Sequence, residues 1–285
     1  MAAVELLKRF RHAFAARSAE AGERLLPLEG PRLIAEALRA GARVEAVLFS
    51  PAGQAQFAAA IRPQLSKHCR VETAGEREFR AAMDAEHPQG VAALVRWRER
   101  TAEDLLLPPP VGDAAPRLLL AAAGLQDPGN LGTLIRAADA FGADGVAVLA
   151  GSVSPFHPKV LRAAAGSHFH LPVAADVDPG EWVALCRRHG VLLAAAAAHA
   201  KLSAPDADLR RSLCWLIGQE AHGVPRTLQR AAELTVAIPM ARQVDSLNAG
   251  VAGAILLYEA RRQRAAAPRR EISPEGTQPH GLVVS

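Results

Sequence analysis

The chain contains no apolar run that stays free of charge long enough to cross a bilayer, and its first residues lack the pattern of a secretion signal. No membrane partner is therefore expected, and the cytoplasm is the expected location. Its three cysteines, Cys69, Cys186 and Cys214, are scattered and form no C-x-x-C pair. That argues against a disulfide framework and against structural zinc, leaving buried thiols as the expectation. His168-x-His170, if set on one side of a strand, offers two metal ligands without a third, so no metal is expected. There is no G-x-G-x-x-G, no lysine where a P-loop needs one, and no repeat of solenoid length. A nucleotide-binding enzyme of that kind is thereby made remote.

What is present is apolar and slightly basic. Half of the 285 residues are hydrophobic, enough for substantial cores, and the net charge of +4 leans toward a polyanionic partner. The start of the chain is an Ala-rich basic amphipathic stretch. A transit peptide can share that composition, but Glu5 and the residues after it favour a helix belonging to the domain. Lys8, Arg9, Arg11, Arg17 and Arg32 are candidates for holding such a polyanion, RNA if the resemblance given below holds, a reading that competes closely with an ordinary solvated basic face.

Two composition shifts divide the chain. LLLPPPVGDAAP at 105–116 forbids helix and marks a connector, and the residues after Arg264 carry no apolar periodicity. The expected organisation is an α/β domain at 1–107, a Pro-rich linker at 108–116, a second domain at 117–265 and a disordered tail at 266–285. In the first domain the patterns predict helices at 31–40, 52–65 and 75–83 and strands at 43–50, 70–73 and 90–97. In the second they predict strands at 117–123, 145–150, 191–197, 213–217 and 234–238. Helices are expected at 130–141, 158–165, 182–189 and from Ser246 to about Arg264. Continuous apolar strands separated by helices indicate a mostly parallel sheet covered on both faces, with ligands at the carboxyl ends of its strands.

Three loops lie at such ends. In GLQDPGNLGTLIR (124–136), Asn130 can cap the helix, Gly129 and Gly132 permit close backbone approach, and Arg136 lies about two turns in. In LIGQEAHGVP (216–225), Gly218 offers bare backbone to a ligand and Glu220 brings a carboxylate. In IPMARQVDSLN (238–248), Asp245 or Ser246 caps a helix whose small residues allow tight packing. Singly, the first reads better as an ordinary βα turn and the second equally well as a connection, while generic helix packing leaves the polar Ser-x-Asn pair of the third unexplained.

Together the loops resemble the SpoU (TrmH) branch of the SPOUT superfamily of RNA methyltransferases. The resemblance rests on DPGNLGTLIRAADAFGADGV (127–146), IGQEAHGVP (217–225) and IPMARQVDSLNAGVAGAILLYEA (238–260), with PKVLRAAAGSHFHLPV (158–173) between them. More loosely, RLLPLEGPRLIAEALRAG (24–41) is similar to the start of the small RNA-binding α/β domain that often precedes this catalytic domain. The resemblance implies a trefoil-knotted SPOUT parallel-sheet domain, a homodimer whose last helix joins the interface, and S-adenosylmethionine held against the backbone of Gly218, Ile238 and Leu247. It also implies methylation of a ribose 2′-hydroxyl of structured RNA, ribosomal RNA ahead of transfer RNA. The rival reading is a non-catalytic RNA-binding protein of the same fold.

Asn130, Arg136, Glu220, Ser246 and Asn248 match the family's functional positions. Because a guanidinium stays protonated, Arg136 is read as gripping a phosphate and stabilising a developing alkoxide, and the proton acceptor is left unassigned. Asn130 is expected to orient Arg136, Ser246 and Asn248 to hold the loop and target nucleotide, and Glu220 to anchor backbone amides; His222 is placed near the site. Arg242 and Ala164 depart from the family pattern, which commonly has glycine and serine there.

Overall fold

The computed structural model describes residues 2–15, 23–107, 115–220, 222–241 and 246–266. The expected linker falls mostly outside the described residues, as do the tail beyond Ala266, Arg17, Arg242 and Asp245.

The first layer comprises α1 (Ala2–Ala15), β1 (Glu23–Glu29), α2 (Pro31–Arg39), β2 (Arg43–Phe49), α3 (Pro51–Ile61), β3 (Arg70–Thr73), α4 (Glu76–Ala82) and β4 (Val91–Arg98). Its sheet runs β1-β4-β2-β3, antiparallel except for β2 with β3. Alternation sends Leu28, Val47, Phe49 and Ala93 to the face covered by α2, and Ala46, Leu48, Ala92 and Leu94 to the face under α1 and α4. The basic first helix is part of this layer: Leu6, Leu7, Phe10 and Ala13 form its buried stripe.

The second layer comprises β5 (Leu118–Ala122), α5 (Pro128–Ala140), β6 (Gly145–Leu149), α6 (Pro158–Ala164), β7 (Val173–Val177), α7 (Pro179–Arg188), β8 (Leu192–Ala196), β9 (Leu202–Ser203), β10 (Leu213–Ile217), α8 (Arg226–Ala231), β11 (Leu234–Ala237) and α9 (Ala249–Ala266). The order is β7-β6-β5-β10-β8-β11-β9, with every pair parallel. Leu120, Val146, Trp215 and Ile217 meet α5, α6 and α9 on one face; Leu119, Cys214 and Leu216 meet α7 and α8 on the other. At the far end of α9, Arg264 donates to the carbonyls of Pro116, Arg117, Leu209 and Arg211, tying the helix to the start of β5.

Several expectations need correction. The predicted helix at 52–65 is α-helical only to Ile61 and closes in a 3-10 turn containing Pro63. Helix α5 begins at Pro128 because Asp127, not Asn130, caps it: Asp127 Oδ1 accepts from the Asn130 amide at 2.7 Å. Likewise Asp178 starts α7 three residues before Trp182. Helix α9 starts at Ala249, not Ser246, and Asn248 Oδ1 accepts from the Val251 amide at 3.2 Å in the capping position. Strands β1, β7 and β9 are additional to those predicted. His168 and His170 lie at a 3-10 turn and its end, not on a strand.

The two layers are joined by direct contacts. Phe156 and Leu161 enter the first core, Trp97 meets Phe169 edge-on at 5.6 Å, and the Arg24 guanidinium lies 4.6 Å over Phe156. Arg162 on α6 reaches Glu29 at 3.0 Å and Asp84 at 2.9 Å. Burial lifts the Glu29 carboxyl above its usual range, against the opposing pull of Arg162. Ala102, Leu105 and Leu106, grouped with the first domain by composition, pack instead in the core of the second sheet.

Candidate active site

The order in which strands are added switches sides between β5 and β10: β6 and β7 continue to one side, while β10, β8 and β11 lie on the other. Crevices for ligands open at such points, beyond the carboxyl ends of the strands. A cavity of about 490 Å³ lies there, lined by Ala196–Ala200 after β8, Ile217–Glu220 after β10, Ile238 and Met240 after β11, and Ser246, Leu247 and Ala249 at the start of α9. Four of the expected residues (Gly218, Ile238, Glu220 and Leu247) therefore share one cavity with Ser246.

The first loop joins this site through hydrogen bonds. Asn130 Nδ2 donates to Glu220 Oε1, Asn248 Nδ2 donates to Asn130 Oδ1 at 2.7 Å, and the Ala249 amide points to Glu220 Oε1 at 3.4 Å. Three residues separated by up to 118 positions thus form one network. Arg136 is exposed on α5 and makes no hydrogen bond or ion pair among the described residues. The expectation that Asn130 orients Arg136 is not met, because the Asn130 amide is engaged by Glu220 and Asn248. His222 is adjacent, its Nδ1 3.1 Å from Gln219 Oε1.

Two glycines allow close approach within the chain itself. A Cβ at Gly218 would stand 2.0 Å from the Gly223 carbonyl oxygen, so its bare face admits the chain's own loop. A Cβ at Gly132 would stand 2.5 Å from Ala163 Cβ, so that glycine serves the α5–α6 contact. Cavity residues that sequence reasoning missed come chiefly from the end of β8, including Ala196 and His199. Their signal, an apolar strand ending in a small-residue run, says nothing of β8 lying between β10 and β11. Among the basic candidates, Lys8, Arg11 and Arg32 are exposed, whereas Arg9 is paired with Glu45. Among the described residues no three His, Cys, Asp or Glu side chains stand together as metal ligands, and no helix is long and apolar enough to cross a membrane.

A profile described as the SpoU rRNA Methylase family matches residues 117–258, and one described as RNA 2′-O ribose methyltransferase substrate binding matches residues 27–100. The chain is 33% identical to a 23S rRNA (guanosine(2553)-2′-O)-methyltransferase of Bacillus subtilis, over 82% of this chain and 87% of that protein. The chain belongs to the SpoU rRNA methylase family. The fold agrees: the crystal structure of the SpoU methyltransferase AviRb from Streptomyces viridochromogenes superposes with a TM-score of 0.76 at 28% identity, covering 92% of this chain and 98% of that one. An AdoMet-bound rRNA methyltransferase from Sinorhizobium meliloti gives 0.75 at 27% identity, over 90% and 94% of the two chains.

As a SpoU methylase the protein is an S-adenosylmethionine-dependent RNA ribose 2′-O-methyltransferase. Its cavity suits that cofactor. The volume falls within the roughly 300–1,000 Å³ of small-molecule sites, and a mostly apolar wall for a flat base meets polar side chains at Glu220 and Ser246. Gly218 and Ile238 at strand ends, and Leu247 just before α9, are part of the cavity wall.

Proposed function

We propose that this SpoU methylase acts on ribosomal RNA, as a homodimer, with Arg136 as its principal catalytic residue. The observation that carries the catalytic reading is the Asn130–Glu220–Asn248 network beside the cavity, with an uncommitted guanidinium two turns along the same helix. S-adenosylmethionine, when bound, supplies an electrophilic methyl group on a sulfonium. A ribose hydroxyl is a poor nucleophile, so alignment supplies much of the acceleration. Arg136 grips the neighbouring phosphate and stabilises the alkoxide that develops as the hydroxyl attacks. Glu220 serves as an anchor, its Oε1 shared between the Asn130 amide and the Ala249 N–H, while Ser246 and Asn248 hold the loop and the target nucleotide.

The dimer reading is supported by α9, which leaves Val251, Ile255 and Tyr258 exposed at 46%, 38% and 53% on one side. We also read the second domain as trefoil-knotted, since β10 lies between β5 and β8 while α9 packs across β10 against α5. The substrate-binding match at 27–100 and the exposed Lys8, Arg11 and Arg32 support RNA capture by the first layer. Mapping ribose methylation in ribosomal and transfer RNA, with and without the protein, tests the assignment. A new 2′-O-methyl group in ribosomal RNA is expected; one confined to transfer RNA would reassign the substrate.

A further inference from the structure

We infer that Gln219 is a positioning residue for methyl transfer, latching the first loop to the cavity wall; this rests on the methyltransferase reading above. Gln219 follows Gly218 at the end of β10 and is partly buried. Its Nε2 donates to the carbonyl of Gly124, the residue that opens the first loop. A carbonyl accepts only from a donor, so the amide orientation is fixed and Oε1 faces His222. His222 Nδ1, 3.1 Å away, must then be the donor, a condition met by the Nδ1–H tautomer and by the imidazolium alike. The Gln219 carbonyl meanwhile accepts from the Gly223 amide at 2.8 Å.

Gly124 is held from its other side as well. Its amide donates to Ser152 Oγ at 2.9 Å, and that hydroxyl donates to the Ala122 carbonyl at 3.2 Å. Its φ of +74° is a conformation open to glycine, and a side chain there would sit 3.6 Å from Gln219 Nε2. Gln219 thus holds the beginning of the loop, while the next residue, Glu220, holds its end through Asn130. Two adjacent side chains span the segment that leads to Asp127, the α5 cap, and so set where Arg136 stands relative to the cavity.

Gln219 borders the cavity, but both ends of its amide are taken up by Gly124 and His222, neither of which lines it. Strand β10 keeps its ladders with β5 and β8, and the second loop keeps its Gly223–Gln219 backbone bond. Losing the latch therefore frees the loop and leaves the cofactor's surroundings in place. A misplacement of about 1 Å can cost on the order of 10²-fold in rate.

The test compares the full-length wild type with Gln219→Met, Gln219→Glu and His222→Ala. It measures S-adenosylmethionine affinity by calorimetry, single-turnover methylation of unmodified ribosomal RNA at saturating cofactor, and amide hydrogen exchange. Both Gln219 variants should keep the cofactor dissociation constant within about threefold while turnover falls about 10- to 100-fold, with His222→Ala showing a smaller loss. Exchange should quicken at 124–131 and stay unchanged in β10. Unchanged turnover, or cofactor affinity falling in step with turnover, overturns the inference. Unchanged exchange at 124–131 overturns it whatever the RNA assay shows, whereas wild type that methylates no RNA defeats the functional reading itself.

Discussion

Glu220 and Arg136 are both charged and both exposed, yet Glu220 is committed to Asn130 and Ala249 while Arg136 keeps its donors free among the described residues. A guanidinium cannot serve as a base without first losing a proton it holds very tightly, so its contribution is electrostatic. Removing one donor of this kind costs on the order of 10²–10³ in turnover. Arg136→Ala should show that loss with cofactor affinity unchanged, by single-turnover assay and calorimetry; turnover near wild type would remove Arg136 from the mechanism. A second residue-scale effect concerns His168, buried with Nε2 2.9 Å from the Pro155 carbonyl and, among the described residues, no partner for Nδ1. Burial pushes its pKa down from the ordinary 6.5 to about 4. The folded state then binds this proton less readily than the unfolded chain. Its contribution is complete above about pH 6.5 and drains away as pH falls toward 4, by about 3 kcal/mol. Denaturant unfolding at pH 7 and pH 4.5 should show wild type losing more stability on acidification than His168→Phe, and equal losses would discount the histidine.

At the scale of elements, most of the second sheet was legible because buried parallel strands are written as unbroken apolar runs, as in RLLLAAA and LCWLI. Strand β1 was missed because Pro27 interrupts it, and a proline is tolerated there since β1 is an edge strand paired only with β4. Helix starts shifted where an Asp or Asn three residues ahead captured the first free amide, a competition that single residues decide. That the second and third loops meet a cavity was legible from the sequence. The Asn130–Glu220–Asn248 network was not, because nothing in the sequence states which loops meet. Gly132 shows what packing adds. Alanine there gains about 1 kcal/mol of helix propensity, but its Cβ would lie 2.5 Å from Ala163 Cβ and 2.9 Å from the Val160 carbonyl oxygen. Neither neighbour has a rotamer to yield, and overpacking of this kind costs about 1–3 kcal/mol. Gly132→Ala should therefore lower stability in urea titrations despite the better helix former; a more stable variant would show that α5 and α6 separate freely.

For the whole molecule, α9 is the element whose surroundings are incomplete. Its inner side, with Gly253, Leu256, Leu257 and Ala260, packs into the second core, where a Cβ at Gly253 would stand 2.1 Å from Leu134 Cδ2. Its outer side shows Val251, Ile255 and Tyr258, with Tyr258 leaning on Phe141 at 5.7 Å. A helix apolar on both sides is a buried helix, and in the proposed homodimer a second copy covers that outer stripe. A two-fold interface presents every substitution twice, so one carboxylate placed in the stripe meets its own counterpart. Burying such a charge without a partner costs several kcal/mol, which the monomer, with the position in water, does not incur. Ile255→Glu should therefore raise the dimer dissociation constant at least about 10²-fold, with far-ultraviolet dichroism and thermal midpoint close to wild type. Analytical ultracentrifugation at micromolar protein reads this directly. A wild type that sediments as a monomer, or a variant that dimerises as tightly as wild type, would place the covering of α9 elsewhere.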